Sequence, residues 1–226
     1  VENELADDIP WDIDDVLFDH AMAPQVPGHV LVVATRSETV GEVIQACEAL
    51  EMTPRNIPPA PLSYGPLLQH GDAEGVTLVA DIGHRLTNLC LISEGKPVTA
   101  RTISRGGFHL TDAIRRAFQI SFDEAEVLKE REAQLAPADL ETLDPRRKAL
   151  AKLASEAMEP LVRQIRLTLG VLGGKVGHPP DRILLCGGTS LLPGIEQHLA
   201  AELGVPCQRL VLDQDPNMSV GGMDRD

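Results

Sequence analysis

Residues 76–104 have the sequence VTLVADIGHRLTNLCLISEGKPVTARTIS, and they decide the fold. Short runs rich in Val, Leu, Ile and Thr, separated by polar turns, predict three successive β-strands at 76–82, 88–93 and 98–104. The second and third strands are joined by EGKP, which has the composition of a hairpin turn. The sequence therefore predicts an antiparallel meander whose first strand ends in the motif Asp-x-Gly.

Helices are predicted directly after this meander. Leu110, Ile114 and Phe118 share one helical face, and Ser121 with Glu124 forms a capping box for a helix that runs through Lys129. Residues 145–173 carry apolar side chains at helical spacing, with charged residues on the opposite side. A proline at position 160 must kink this long helix or start a second one.

A second strand-to-turn motif follows the long helix. Arg182 to Cys186 form a short apolar strand that leads into GGTS at 187–190. A helix is expected from Pro193, because proline suits the first helical turn, and a last strand is expected at 207–212. The predicted order is therefore three strands, helices, strand, helix and strand, which is an α/β fold with a mixed sheet and helices on both faces.

The N-terminal third predicts a smaller α/β unit. It contains strands at Val16–Met22 and Val30–Ala34, followed by a helix from Ser37, the expected N-cap, to Glu51. The loop-like sequence HGDAEG at 70–75 is the best boundary. We therefore divide the chain into residues 1–70 and residues 71–226, with a helical insertion at about 120–145 in the second part.

Charge and composition exclude several classes of function. The chain has 226 residues and a net charge of −14, which repels nucleic acid and anionic membranes. No apolar stretch approaches the roughly 20 residues that a membrane helix needs. The four cysteines lie in apolar segments and the histidines are scattered, so neither a disulfide framework nor a metal site is predicted.

The two glycine motifs, ADIGHRLTNL at 80–89 and LLCGGTSLLPG at 184–194, carry the first family resemblance. Glycine lets backbone N–H groups approach phosphate oxygens, hydroxyls donate further hydrogen bonds, and a carboxylate positions water or Mg²⁺. The pair, in this order and on these elements, resembles the actin, Hsp70 and sugar-kinase superfamily. The resemblance implies actin-like (ribonuclease H-like) lobes, with a small α/β subdomain at the start of the chain.

Two further segments narrow the resemblance. ISRGGFHLTDAIRRAF at 103–118 and FDEAEVLK at 122–129 are similar to segments of PilM, FtsA and MreB relatives, and ELADDIPWDIDDVLFDH is similar to the entry into the small subdomain of PilM and FtsA. Within that group, ARTISRGG at 100–107 favours protein L of type II secretion (GspL) over PilM. We expect one of these two families, with protein L as the first choice.

The resemblance also assigns site residues. It implies that Asp81, Gly83 and Thr87 form the second phosphate loop, and it places further residues around the adenosine, namely Glu126, Lys129, Gly187, Gly188 and Thr189. Each has a plainer interpretation as well. The aspartate could cap a turn, the glycines could serve tight strand-to-helix turns, and the lysine could be a solvated helix residue.

Two departures from the superfamily pattern lead us to expect a vestigial site. His84, Arg85 and Leu86 stand where nucleotide-binding relatives have small residues, and this bulk is expected to close the pocket, although Arg85 could instead pair with a phosphate. The first Asp-x-Gly phosphate loop is not found in this sequence. We therefore expect no enzyme activity and no bound cofactor in this chain. ATP binding is expected, if at all, in a full-length relative.

The function implied is that of a scaffold on the cytoplasmic face of the bacterial inner membrane. As a protein L, the chain would couple a GspE-like secretion ATPase to inner-membrane platform proteins; as a PilM, it would hold a membrane partner's cytoplasmic peptide. A homodimer is compatible with either role. The rivals are an active ATPase or sugar kinase and an actin-like filament former, both of which need an intact phosphate loop. The acidic run at Asp7, Asp8, Asp12, Asp14 and Asp15 is expected to dock a basic partner domain, or else to be a solvated face.

Overall fold

The computed structural model describes residues 9–22, 28, 30–68, 75–135 and 142–211. Its strands are β1 (Val16–Met22), β2 (Val30–Arg36), β3 (Val76–Ile82), β4 (Thr87–Ser93), β5 (Lys96–Ile103), β6 (Arg182–Cys186) and β7 (Cys207–Arg209). Its α-helices are α1 (Ser37–Glu48), α2 (Gly107–Phe118), α3 (Phe122–Glu132), α4 (Pro145–Val176) and α5 (Ile195–Leu203). Short 3-10 helices lie at Ile13–Asp15, Ala60–Leu62, Gly65–Leu68 and Gly188–Leu191.

Five strands form one mixed sheet in the order β5-β4-β3-β6-β7. The meander is antiparallel, whereas β6 and β7 run parallel to β3. Glu94 and Gly95 both have positive φ, as the two-residue turn of a tight hairpin requires, so the turn is shorter than EGKP and β5 already begins at Lys96. The predicted α/β fold and mixed sheet are confirmed, with β3 as the central strand.

The helices α2, α3, α4 and α5 cover one face of this sheet. Leu78, Ala80 and Ile82 of β3 and Leu185 of β6 are at most 1% exposed and belong to one apolar cluster with side chains of α2, α4 and α5. A leucine or isoleucine buried to this extent contributes about 2 kcal/mol. This cluster is the main core, and it holds the ends of β3 and β6 side by side.

The opposite face is covered differently. Val79, Cys90 and Leu184 pack there against Leu68 and the half-buried Tyr64, which belong to the segment containing the second and third 3-10 helices. Helices therefore cover both faces, but among the described residues the second face carries 3-10 helices and not α-helices. The boundary at residue 70 stays a prediction, and the segment before it packs on the large sheet.

The helix boundaries correct several details of the sequence interpretation. The helix α4 is a single element of 32 residues with Pro160 inside it, so no second helix starts there. The capping box of Ser121 and Glu124 is confirmed at the start of α3. The helix α5 begins at Ile195 and not at Pro193, because Gly194 with φ of 81° precedes it as the N-cap. The strand β7 ends at Arg209, three residues before the predicted end.

The N-terminal unit consists of the antiparallel pair β1–β2 and the helix α1. The N-cap of α1 is Arg36 and not Ser37, whose hydroxyl instead donates a hydrogen bond to the carbonyl oxygen of Asp15 at 3.0 Å. The helix ends at Glu48 and has no buried residue. Throughout the described part of the chain, no helix has the length and apolar character needed to cross a membrane.

The position of Leu185 in the core gives a first prediction. Its side chain is 1% exposed, so Leu185→Asp would bury a carboxylate without a partner and should destabilise the fold by about 4 kcal/mol or more. Thermal unfolding followed by circular dichroism measures the change. Val127→Asp is the matched control, because Val127 is 47% exposed and should tolerate the same chemical change. Equal melting temperatures for the two variants would show that the position of β6 in the sheet is wrong.

Candidate functional site

The ends of β3 and β6 lie side by side, since Asp81 of β3 pairs in register with Cys186 of β6. Asp81 accepts a hydrogen bond from the hydroxyl of Tyr64 at 2.6 Å. Burial, together with the hydrogen bond to Asp81 and the negative charge of Asp81, raises the pKa of Tyr64 above its usual range. The phenol therefore stays protonated and holds this carboxylate from the side of the second sheet face.

The loop after β3 is tied to both neighbouring segments through its carbonyl oxygens. The carbonyl oxygen of Gly83 accepts hydrogen bonds from the amide of Gly107 at 3.0 Å and from the hydroxyl of Thr189 at 2.9 Å. The carbonyl oxygen of His84 accepts from the amide of Phe108 at 2.7 Å. The first amides of α2, which a helix N-terminus would offer to an anion, are thus bonded to the loop.

Glycine is required at two places in this arrangement. Gly187 has φ of 82°, and a Cβ at this position would overlap the carboxylate of Asp81 and the backbone of Ile82. A Cβ at Gly107 would lie 2.5 Å from the hydroxyl oxygen of Thr189. Gly188 differs, because nothing lies within 4 Å of the corresponding position. The glycines of both motifs therefore allow chain segments to approach one another.

A polar cluster lies between α2 and α3. The ammonium group of Lys129 is 2.5 Å from Glu126 Oε1 and donates to Thr111 Oγ1 at 3.1 Å, while the hydroxyl of Thr111 is also hydrogen-bonded to Glu126. The Lys129 side chain is only 11% exposed. Burial opposes the ionisation of Glu126, but the hydrogen bonds from Lys129 and Thr111 outweigh it and lower the pKa of Glu126. The plainer interpretation of Lys129 as a solvated residue is wrong.

A cavity of about 410 Å³ opens beside this polar cluster. That volume is within the usual range for small-molecule sites. The cavity is lined by residues from the β3–β4 loop, α2, α3 and the segment before α5, namely His84, Leu110, Glu126, Lys129, Glu130, Gly188, Thr189, Leu191, Leu192 and Pro193. Four of the eight residues that the sequence assigned to the site therefore meet at one cavity.

The bulky residues of the β3–β4 loop leave this cavity open, and the expectation that they close the phosphate pocket stays a prediction. The ring of His84 packs edge-on against Phe108 and Phe122, and the guanidinium carbon of Arg85 lies 4.4 Å from the centre of the Phe108 ring. Leu86 is 48% exposed. The aromatic side chains of α2 and α3 therefore contact His84 and Arg85, and of the three loop residues His84 alone lines the cavity.

The other four predicted site residues serve the connections within the fold. Asp81 is bonded to Tyr64, and Gly187 packs against it. The hydroxyl of Thr87 is fully buried and donates to the carbonyl oxygen of Arg105 at 2.8 Å. The amide of Gly83 donates to the carbonyl oxygen of Leu86 at 2.9 Å. None of these four residues lines the cavity.

These contacts determine which parts of an ATP molecule fit the site. The cavity has room for a nucleoside, and Glu126 and Lys129 stand at its wall. The triphosphate does not fit the residues described, because the phosphate-loop hydroxyl and the first α2 amides already donate to carbonyl oxygens and Lys129 is paired with a carboxylate. Among the described residues, no cluster of three or more potential ligands could hold a metal ion.

Sequence reasoning missed three parts of this arrangement. Tyr64, the only tyrosine of the chain, gave no signal, because its partner Asp81 is 17 residues away and in another element. Thr111 lies in the quoted motif GGFHLT and could have been assigned from it. Phe108 and Phe122 could have been found as aromatic residues at the starts of two consecutive helices, yet their contact with His84 depends on how those helices pack.

Comparison with known proteins agrees with this fold. A family model for the type IV pilus assembly protein PilM matches residues 1–224. Among solved structures, a chain of the PilM–PilN type IV pilus biogenesis complex superposes with a TM-score of 0.76 at 25% identity, over 93% of this chain and 60% of that one. This chain therefore spans about 60% of the length of the chain that it matches.

Two actin-like proteins of lower identity share the fold. MreB5 of Spiroplasma citri bound to ADP has a TM-score of 0.60 at 18% identity, covering 77% of this chain and 61% of that one. The MamK double helical filament has a TM-score of 0.56 at 15% identity, covering 78% and 61%. These similarities confirm the actin-like architecture and carry no information about activity.

The glycines of the turn after β6 give a second prediction. Gly187→Ala should destabilise the protein by about 3 kcal/mol or more, because alanine disfavours φ of 82° and its Cβ would meet Asp81 and Ile82. The matched control, Gly188→Ala, should change stability by less than about 0.5 kcal/mol, since its Cβ would enter open space. Urea unfolding curves of the two variants measure the difference, and similar midpoints would contradict the contact between this turn and β3.

Proposed function

This chain belongs to the PilM family of type IV pilus assembly proteins, and we propose that it acts as a cytoplasmic adaptor for an inner-membrane protein of that assembly. The observation that carries the proposal is the family match over residues 1–224, joined by the similarity to a chain of the PilM–PilN complex. The partner proposed is the cytoplasmic segment of a PilN-type protein. Its site of action would be the cytoplasmic face of the inner membrane.

The matched family favours one of the two roles that the sequence suggested. PilM was the second choice, whereas ARTISRGG had favoured protein L of type II secretion. The family model and the structural similarity both belong to type IV pilus assembly, and neither supports the type II role. A short motif of eight residues is a weaker criterion than a match over nearly the whole chain.

We also propose that the chain is not an enzyme. Catalysis of phosphoryl transfer depends on donors and cations aimed at the transferred phosphate. Here the hydroxyls of Thr87 and Thr189 donate to backbone carbonyl oxygens, and Asp81 is bonded to Tyr64. A fold with these groups bonded to one another supports a rigid scaffold more than a phosphoryl-transfer site.

An active nucleotide-dependent ATPase remains the alternative from another class, and the cavity of about 410 Å³ favours it. The cavity lies where the superfamily resemblance places adenosine. Its donors Lys129 and Thr189 are already used within the fold, however, since Lys129 pairs with Glu126 and the hydroxyl of Thr189 donates to the carbonyl oxygen of Gly83. The proposal therefore predicts that phosphate groups add little to binding.

A second partner is proposed for the acidic segment. Asp12, Asp14 and Asp15 are exposed around the first 3-10 helix, while Asp7 and Asp8 lie outside the described residues. We propose that this segment attracts a basic domain, such as one of the assembly's ATPase. Exposed charges of this kind act over about 8 Å at physiological salt and mainly raise the association rate.

The third prediction tests nucleotide binding. Calorimetric titrations with Mg-ATP and with adenosine should both give dissociation constants weaker than about 100 µM, and the two should agree within about threefold. Phosphate-loop donors would make ATP bind far more tightly than adenosine. A low-micromolar constant for ATP, which corresponds to about 8 kcal/mol, together with weak adenosine binding would refute the proposed absence of a phosphate site.

The fourth prediction tests the adaptor role. A fluorescently labelled peptide with the sequence of the PilN-type cytoplasmic segment should bind the protein with a dissociation constant of about 10 µM or tighter in anisotropy titrations. Removing nucleotide from the buffer should leave this affinity unchanged. A scrambled peptide of the same composition is the control, and equal anisotropy changes for both peptides, or none for either, would contradict the role.

A further inference from the structure

One face of α4 is exposed along most of the length of the helix. Its residues are spaced alternately four and three positions apart in the sequence. This spacing keeps them on one side of the helix, as in helices that pair with one another. Leu153 and Pro160 are half-buried at the border of this face, where Leu153 also packs against the main apolar cluster, and the remaining members are exposed. We name this stripe the α4 face; its members are Ala149, Leu153, Glu156, Pro160, Arg163, Leu167, Gly170 and Gly174.

The α4 face is nearly symmetric about Pro160. Seven residues before and after this proline stand Leu153 and Leu167, so a leucine lies at the same distance on either side. Closer to the centre, Glu156 lies four residues before the proline and Arg163 three residues after it. Further from Pro160, the residues of this face are small on both sides, with Ala149 before the proline and Gly170 and Gly174 after it. When a second copy of the helix runs antiparallel to the first, a leucine therefore faces a leucine, small residues face small residues, and the glutamate faces the arginine.

The charged members of the α4 face have no partner among the described residues of their own chain. Glu156 and Arg163 are exposed, and neither takes part in an ion pair with a described side chain. Other basic residues behave differently, since Arg166 of the same helix is bonded to Glu202 at 2.9 Å. Two unpaired charges of opposite sign thus stand about 10 Å apart along the helix.

The C-terminal part of the α4 face combines exposed apolar side chains with glycines. Leu167 is 58% exposed, and the neighbouring Val171 is 64% exposed. Nothing lies within 4 Å of the Cβ positions of Gly170 and Gly174. Each glycine inside a helix costs about 1 kcal/mol relative to alanine, and no contact within the described chain requires either of them. Small residues on a helix surface let a second helix approach closely.

We propose that the α4 face pairs antiparallel with the α4 face of a second copy of this chain, across a two-fold axis near Pro160. In this arrangement Glu156 of each copy meets Arg163 of the other, so that one contact is made twice, as in an isologous dimer. The leucines on either side meet one another, and Ala149 faces the open surface at Gly170. The occupant is a second copy because the sequence of this face is complementary to itself.

The size of the contact determines the affinity that we expect for the dimer. From Ala149 to Gly170 the helix spans about 32 Å at 1.5 Å per residue, and a single pair of helix faces lies at the small end of specific interfaces. The dimer should therefore be in equilibrium with the monomer at micromolar concentration. Its electrostatic part rests on exposed ion pairs, so the dissociation constant should rise with salt.

The experiment is sedimentation equilibrium of the full chain from about 1 to 100 µM, with charge variants of the two paired residues. Arg163→Glu and Glu156→Arg should each raise the dissociation constant at least about tenfold, because each places like charges together twice. The double variant, with both changes in one chain, restores opposite charges and should bring the constant back to within about threefold of the original. Circular dichroism melting of each variant checks that the fold is intact.

Two controls separate this contact from a general effect of charge. Arg131→Glu makes the same change at an exposed position on α3 and should leave the dissociation constant unaltered. Gly170→Leu fills the open position and should weaken the dimer without lowering the melting temperature, because nothing lies near its Cβ in the monomer. A chain that stays monomeric at all concentrations overturns the proposal, as does a double variant that stays as weak as the single ones.

Discussion

The carbonyl oxygen of Gly83 is the atom on which the rest of the site depends. It accepts one hydrogen bond from the amide of Gly107 and another from the hydroxyl of Thr189, which joins the ends of β3 and β5 to the turn after β6. A carbonyl oxygen has two lone pairs, and both are used here. Segments that lie 24 and 106 residues from Gly83 in the sequence are therefore held together at this one atom.

This constraint explains why several phosphate-loop groups are bonded within the fold beside an open cavity. The glycines bring backbone within hydrogen-bonding distance of backbone, so polar groups that could turn towards an anion are bonded within the fold. The space left over is bounded by the Glu126–Lys129 pair, whose charges neutralise each other at short range. The result is a hydrogen-bonded wall beside an open cavity, which is compatible with the adaptor role proposed above.

The sequence predicted those elements whose signals are local. The meander was found because strand periodicity and a turn recur within 30 residues, and the capping box at Ser121 was found because its two partners are three residues apart. The bond between Tyr64 and Asp81 and the contacts of His84 with Phe108 and Phe122 connect different elements, and no local pattern encodes them. The same limit applies to the placement of residues 84–86. Their bulk was visible in the sequence, but the direction in which the aromatic side chains hold them was not.

The helix α4 has one face in the core and the other at the surface, and the sequence pattern indicated a role for the first face only. Its inner face is selected by packing, with Leu161, Ile165 and Leu169 in the main cluster, so helical periodicity predicted it. Its outer face carries Leu167, Val171 and two glycines, which packing within the described chain does not require. A solvated helix surface would gain stability from alanine or charged residues at these positions. The presence of exposed apolar side chains and glycines beside unpaired opposite charges is therefore better explained by the proposed contact between chains than by the fold of one chain.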